Sequence, residues 1–197
     1  IGYEGVQGAE YYKWSTGPDV FHMLTLPFTR NVVGPMDFTG VTYGGEATKK
    51  RKNSDAAELA IAVLYENGIQ YWGAPPSEYR KSPAAMNLLK NSPAAWESTH
   101  FVEGYPGEYI CLARQILNGN TWFIGAMSNF KKDEVKTVSF SFLPRDKTYE
   151  LELYSDGLSG SEIITRKMSV TYESSISVNV LYNGGFCGIL KPIEDLK

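Results

Sequence analysis

Two glutamates near the start of the chain, Glu4 and Glu10, form the pattern with the clearest chemical meaning. They stand six residues apart in the sequence, and Gly5 and Gly8 lie between them. Glycine accepts backbone angles that other residues avoid, so this segment can turn tightly enough to aim both carboxylates at one centre. Such a pair suits a hard cation such as Ca²⁺, which takes about six to eight oxygen ligands, or the acid side of glycosidic bond hydrolysis. Spacing by itself leaves another interpretation open, in which both glutamates are simply solvated.

Asp37 is a further candidate because of the segment that delivers it. The run Val32–Thr39 is short and apolar and ends in polar residues, which predicts a buried parallel strand with Asp37 at or near its C-terminal end. A carboxylate in that place faces a substrate or orients a group that does. His22 and Arg30, by contrast, are predicted to have structural roles, the first packed in a helix and the second paired with a carboxylate.

The first ~90 residues alternate helical patterns with short strand-like segments, as α/β units do. One helix is predicted from Gly17-Pro18 to Arg30, and another from Ser82-Pro83 to Lys90. Between them, Asn53 or Ser54 caps a helix that ends at Gly68 and whose middle is apolar on every face, so we expect it to be covered on more than one side. The basic run at 49–52 just before this helix is predicted to be a solvated loop.

From Trp96 onward, apolar and polar residues alternate with a period of two, which predicts strands with one buried and one exposed face. Turn signals such as Asn118-Gly119 separate these runs and indicate about eight strands in an antiparallel sandwich of roughly 100 residues. The polar members of the runs should be exposed, namely Ser139, Ser141, Glu150, Glu152 and Ser177.

Composition limits the class of protein. The chain has 197 residues, of which 43% are hydrophobic and 21% charged, as in globular proteins. A net charge of −3 argues against a nucleic-acid partner, and the lack of a long apolar stretch argues against a membrane partner. Cys111 and Cys187 are far apart in sequence and are predicted to be small buried hydrophobic residues.

Four stretches of the chain resemble glycoside hydrolase family 97, the calcium-dependent α-glucosidases and α-galactosidases common in Bacteroidetes. The LPFTR and GPMDFTG motifs and the WEST…EGYPGEY pattern are the most specific parts of this resemblance. Together the stretches cover most of the sequence, at residues 4–40, 56–79, 92–114 and 141–157.

The resemblance implies an α+β fragment of a longer enzyme. Residues 1–92 would be the last βα units of the catalytic (β/α)₈ TIM barrel, and residues 93–197 would be the C-terminal antiparallel β-sandwich. Glu4 would be a calcium ligand, and Glu10 would both bind calcium and act as the general acid. Gln7 and Gly40 depart from the family pattern, where Arg and Pro are expected, and neither change touches the two glutamates.

The implied partners are an oligosaccharide substrate and the upstream part of the same enzyme, which holds the rest of the barrel and an N-terminal domain. The chain opens at Ile1 without a signal peptide, so its start is interpreted as internal, and a periplasmic location is expected from the resemblance alone. A fragment that supplies only the acid side of the reaction should be inactive by itself. Glucose or galactose specificity and an inverting or retaining mechanism stay open. The alternative function is a non-catalytic sandwich module that binds carbohydrate or is purely structural.

Overall fold

The computed structural model describes residues 6, 8–13, 15–43 and 45–193. Glu4 therefore lies outside the described residues. The helices fall in the first half of the chain: α1 Val20–Thr25, α2 Arg30–Val33, α3 Gly45–Lys50, α4 Asp55–Leu64, α5 Pro76–Tyr79 and α6 Pro83–Asn91, with 3-10 helices at Ala9–Lys13 and Leu26–Phe28. No helix in the described ranges is long and apolar enough to cross a membrane.

Side-chain caps fix where the main helices begin. The Ser54 hydroxyl accepts the Ala57 N–H at the start of α4 at 3.1 Å, and the Ser82 hydroxyl accepts the Ala85 N–H at the start of α6 at 3.2 Å. Each bond satisfies a main-chain donor that the first helical turn leaves without a partner. The helix starts predicted at Ser54 and Ser82 are confirmed, although α4 ends at Leu64, a few residues earlier than expected.

The second half of the described chain is all strand, as predicted. Its eight strands are β1 Trp96–Tyr105, β2 Tyr109–Ile116, β3 Trp122–Ser128, β4 Glu134–Ser139, β5 Tyr149–Asp156, β6 Ile163–Val170, β7 Ser175–Val180 and β8 Gly185–Pro192. A six-stranded sheet has the order β1-β2-β3-β8-β5-β6, and a two-stranded sheet pairs β4 with β7. Every pairing between these strands is antiparallel.

The larger sheet lies between the helices and the smaller sheet. Alternate residues of β2 show this, because Ile110 and Leu112 belong to the core shared with α4 whereas Cys111 and Ala113 belong to the core shared with β4 and β7. Glycine lets α4 approach the sheet closely, since a Cβ built at Gly125 would lie only 3.2 Å from the Ala60 carbonyl oxygen. Residues of α4 from Ala56 to Leu64 are all buried, so the prediction that this helix is covered on more than one side is confirmed.

The predicted exposure pattern holds with one difference. Ser139, Ser141, Glu150 and Ser177 are exposed, but Glu152 is half-buried because its carboxylate pairs with Lys167 of β6 at 3.2 Å. Both cysteines are free thiols with 0% exposure, as predicted.

Two local predictions are wrong. Val32 and Val33 belong to α2 and not to a strand, and they are 75% and 84% exposed. The chain becomes extended only after Gly34, where φ is +146°, a value that suits glycine. The basic run is also not a solvated loop, because Lys50 ends α3 and the Arg51 side chain is only 3% exposed.

Candidate functional site

The Ala9–Lys13 3-10 helix, called the Glu10 turn below, carries the exposed Glu10 carboxylate. The Gly8 N–H donates to Glu10 Oε1 at 3.0 Å, and the Ala9 N–H donates to the Thr39 carbonyl oxygen at 2.7 Å. A Cβ built at Gly8 would lie 2.6 Å from Glu10 Oε2 and 2.9 Å from the Thr39 nitrogen, so glycine is required here. The glycine singled out in the sequence therefore lets the carboxylate fold back against its own turn.

Three chain segments meet beside Glu10. Residues 36–43 and residues 66–73 run parallel, with a bridge between Gly40 and Trp72 and a 2.9 Å hydrogen bond from the Gly73 N–H to the Gly40 carbonyl oxygen. A Cβ built at Gly73 would lie 3.1 Å from the Ala9 Cβ, which shows how closely the Glu10 turn approaches. The site is thus a junction of the turn with two parallel extended segments.

Asp37 lies on the first of these segments, and its side chain alternates with two core residues. Met36 and Phe38 are each 1% exposed, whereas Asp37 is half-buried. Because successive side chains of an extended segment point to opposite faces, Asp37 and Thr39 share the face away from the core. Thr39 is the residue whose carbonyl oxygen receives the Ala9 N–H, so the structure places Asp37 two residues from the contact with the Glu10 turn.

A buried ionic network packs against this junction, and the sequence alone did not predict it. Glu58, 2% exposed, accepts the Thr42 N–H on Oε1 at 2.7 Å and the Asn53 side-chain amide on Oε2 at 2.8 Å. Arg51 donates through Nη1 to the Thr42 carbonyl oxygen at 2.8 Å and forms an ion pair with Asp55 through Nη2. The sequence signal was one acidic residue inside the apolar α4 and a basic run just before that helix.

The two acidic neighbours of Arg51 set the direction in which its pKa shifts. Burial lowers the pKa of Arg51, but the Glu58 and Asp55 carboxylates outweigh burial and leave that pKa above its ordinary value. Burial also raises the pKa of Tyr12, and the Glu58 charge adds to that increase. Both shifts follow from charges held in a dry environment next to the Glu10 turn.

Arg30 has a structural role, and Glu10 is the described candidate for a metal ligand. The Arg30 guanidinium donates to the carbonyl oxygens of Gly34 and Pro35 at 3.2 Å and 3.1 Å, which fixes the turn that follows α2. No group of three or more histidine, cysteine or acidic side chains in the described ranges is placed to hold a metal ion. Glu10 is a hard oxygen donor, but Glu4 and Glu10 together offer at most about four of the six to eight oxygens that Ca²⁺ takes. The two glutamates therefore fit only part of a calcium site.

The fold and site together define an α+β protein in which a helical layer with an exposed glutamate turn packs on an antiparallel β-sandwich. Residues 95–191 match the family model described as "Glycosyl-hydrolase 97 C-terminal, oligomerisation". Residues 95–191 are thus similar to the C-terminal domain of glycoside hydrolase family 97.

Individual relatives extend this match over nearly the whole chain. It is 38% identical over 188 residues to a probable retaining alpha-galactosidase of Streptomyces bingchenggensis, covering 94% of this chain and 27% of the relative. It is 27% identical over 201 residues to the retaining alpha-galactosidase of Bacteroides thetaiotaomicron, covering 94% and 30%. A glycoside hydrolase family 97 enzyme from Pseudoalteromonas sp. strain K8, solved with acarbose, superposes with a TM-score of 0.88 at 26% identity over 98% of this chain and 32% of that one. The chain thus spans less than a third of the length of these relatives.

Proposed function

We propose that this chain is the C-terminal part of a retaining α-galactosidase, with Glu10 as the general acid. The observation that carries the proposal is the exposed Glu10 carboxylate at the junction of three chain segments, in a chain whose similarity to retaining alpha-galactosidases extends beyond the sandwich. Residues 1–92 would complete the catalytic barrel, and residues 93–197 would form the sandwich behind it.

The connection between the two parallel segments supports the barrel assignment. Residues 36–43 lead through α3 and α4 to residues 66–73, which is the strand-helix-strand order that parallel pairing requires. The Met36 N–H donates to the Glu66 carbonyl oxygen at 3.0 Å at one end, and the bond from Gly73 to Gly40 lies at the other. In a barrel, loops at the carboxyl ends of the strands hold the catalytic groups. The Glu10 turn and Gly73 lie together at the carboxyl end, and Asp37 lies two residues before Thr39, which contacts the turn.

The reaction assigned to Glu10 is protonation of the glycosidic oxygen as the bond to the sugar breaks. An exposed carboxyl group can reach a substrate oxygen, and its hydrogen bond from the Gly8 N–H fixes the direction in which it points. A retaining enzyme needs a second carboxylate as nucleophile about 5 Å away, and we assign that group to the upstream part of the enzyme. Asp37 is assigned to a sugar hydroxyl on the same side of the site.

Calcium is proposed as the cofactor of the complete enzyme, held by Glu4, Glu10 and upstream ligands. When bound, the ion supplies positive charge beside the reacting sugar. The exposed face of Glu10 is compatible with this assignment, and the remaining ligands have to come from outside the described residues.

The sandwich is proposed to pack against the barrel and to take part in oligomerisation, in accord with the description of its family model. The aromatic side chains of the inner strands β3 and β5 support this role over carbohydrate binding, whereas Phe101 and Tyr105 of the edge strand β1 are exposed. Trp122, Phe123, Tyr149 and Tyr154 are at most 7% exposed and so cannot form a platform on which a sugar ring stacks.

The test uses the full-length enzyme with aryl α-galactoside and α-glucoside substrates. We expect a clear preference for the galactoside, release of the α-anomer first by NMR, and loss of activity on removal of calcium by a chelator. Release of the β-anomer first would contradict a retaining mechanism, and a preference for the glucoside would contradict the substrate assignment. The 197-residue chain alone should hydrolyse neither substrate.

A further inference from the structure

We propose that Lys50 is a positioning residue for Glu10, an inference that rests on the acid role proposed above. Lys50 is the last residue of α3, and its ammonium group donates to the Tyr12 carbonyl oxygen at 2.5 Å. Tyr12 lies two residues after Glu10 in the same 3-10 helix. The contact therefore acts on the turn that carries the acid and not on the carboxylate itself.

The Glu10 turn is held at both ends, and Lys50 provides one of the two attachments. At the start, the Ala9 N–H donates to the Thr39 carbonyl oxygen. At the end, the last carbonyl groups of a helix have no partner within the helix, so they need one from outside. The Ser15 N–H donates to the Tyr11 carbonyl oxygen at 2.8 Å, and the Lys50 ammonium group donates to the Tyr12 carbonyl oxygen. A positive charge is also favourable at the carboxyl end of a helix.

The main chain at Lys50 is held in place because the side chain of the next residue, Arg51, is buried and hydrogen-bonded. The Arg51 side chain is 3% exposed and binds both the Thr42 carbonyl oxygen and Asp55 at the start of α4. Thr42 belongs to the extended segment that receives the Ala9 N–H at Thr39. The successive side chains of Lys50 and Arg51 thus connect the end of the Glu10 turn, at Tyr12, to the extended segment at Thr42.

Loss of the Lys50 contact should change where the acid points more than how stably the chain folds. The main chain around Glu10 keeps its attachment at Ala9 but loses the one at Tyr12, and a catalytic group displaced by 1 Å can lose about 100-fold in rate. For the partial release expected here, we predict that Lys50→Met lowers kcat about tenfold on substrates whose leaving group must be protonated. KM should change little, because Lys50 does not touch the sugar.

The experiment compares variants of the full-length enzyme on two substrates. One is an alkyl α-galactoside, whose leaving group needs a proton, and the other is a dinitrophenyl α-galactoside, whose leaving group does not. The variants are Lys50→Met, Lys50→Arg, Glu10→Gln and the double variant of Lys50→Met with Glu10→Gln. Lys52→Met is the matched control because it removes a nearby exposed lysine from the same basic run.

We expect Lys50→Met to lose activity selectively on the alkyl galactoside, Lys50→Arg to restore most of it, and Lys52→Met to behave as wild type. In the Glu10→Gln background, Lys50→Met should cause no further loss, since its effect acts through Glu10. Equal losses on both substrates for Lys50→Met, or losses that add in the double variant, would overturn the inference while a selective Glu10→Gln effect left the acid role intact. An unselective effect of Glu10→Gln would instead remove the proposed acid role and the inference with it.

Discussion

Two buried arginines should respond in opposite ways to the same substitution. Arg114, on β2, is 3% exposed, and its Nη2 donates to the carbonyl oxygen of Leu64, the last residue of α4, at 3.1 Å. Its Nε and Nη1 have no hydrogen-bond partner among the described residues. Burial lowers the pKa of Arg114 to about 10, although the Glu66 charge opposes that change. The charge is therefore poorly compensated where it lies.

The magnitude follows from that pKa. A lowering of the pKa from the ordinary guanidinium value to about 10 means that the folded protein disfavours the charge by about 3 kcal/mol relative to water. Arg114→Met removes this term and keeps the methylene packing beside Trp96, but it loses the bond to Leu64, worth about 1.5 kcal/mol. It also loses the contact of the cation with the Trp96 ring, worth about 0.5 kcal/mol. We expect Arg114→Met to be about 1 kcal/mol more stable than wild type, which raises Tm by about 2–4 °C for a chain of this size.

Arg51→Met is the matched comparison. Arg51 has two close acidic partners, and its pKa is raised, so its charge is compensated. Removing it leaves the buried Glu58 and the half-buried Asp55 without their cation, and breaking a buried ion pair in this way destabilises a protein by about 3–5 kcal/mol. We expect a fall in Tm of about 6–20 °C.

Thermal unfolding of the expressed chain, followed by circular dichroism, measures both variants. A loss of more than about 2 kcal/mol in Arg114→Met would refute the reasoning, because it would mean that Nε and Nη1 have partners that repay the burial of the charge. An unchanged Tm in Arg51→Met would show that the network beneath the Glu10 turn does not stabilise the fold.

Three further predictions concern pH and close contacts. Burial raises the pKa of Asp156 above 3.8, so the stability that Asp156 contributes is fully present below about pH 3.8 and is lost as pH rises through the higher pKa of the folded state. The Tm of wild type minus the Tm of Asp156→Asn should therefore fall with rising pH. A difference that stays constant with pH would contradict this. Gly8→Ala places a Cβ 2.6 Å from Glu10 Oε2 and 2.9 Å from the Thr39 nitrogen, so in the full-length enzyme we expect loss of activity together with a lower Tm. Wild-type kcat would show that the carboxylate does not need this contact. Gly185→Ala places a Cβ 2.2 Å from a carbonyl oxygen of β3 and should lower stability by about 1–3 kcal/mol, whereas Gly160→Ala, with 3.7 Å to its nearest atoms, should be neutral in the same unfolding assay.

The strands could be predicted from the sequence where one face of the strand is exposed to solvent and the other is buried. Along β5, Leu151 and Leu153 are buried and Glu150 is exposed, so the period of two is visible in the sequence. The edge strand β6 gave a weaker signal, because only Val170 of this strand is fully buried and the strand carries Arg166 and Lys167. Strand position in a sheet depends on distant pairing, and local sequence does not contain it.

The helical half shows the opposite limit. Caps at Ser54 and Ser82 are local and were predicted, since a side chain bonds to a main-chain N–H three residues away. The helix at Val32 and Val33 was not, because apolar β-branched residues predict a buried strand and here they are exposed. The supporting role of Glu58 was also missed, since its partner at Thr42 lies 16 residues away and is brought close only by the fold.

The central claim is that Glu10 donates the proton to the leaving group, and the activity of Glu10→Gln in the full-length enzyme tests it most directly. Glutamine keeps the shape and can still accept the Gly8 N–H, but it has no acidic proton to donate. The account predicts a loss of about 100-fold or more in kcat on an alkyl α-galactoside and a much smaller loss on a dinitrophenyl α-galactoside. Equal losses on the two substrates, or wild-type activity on the alkyl galactoside, would contradict it.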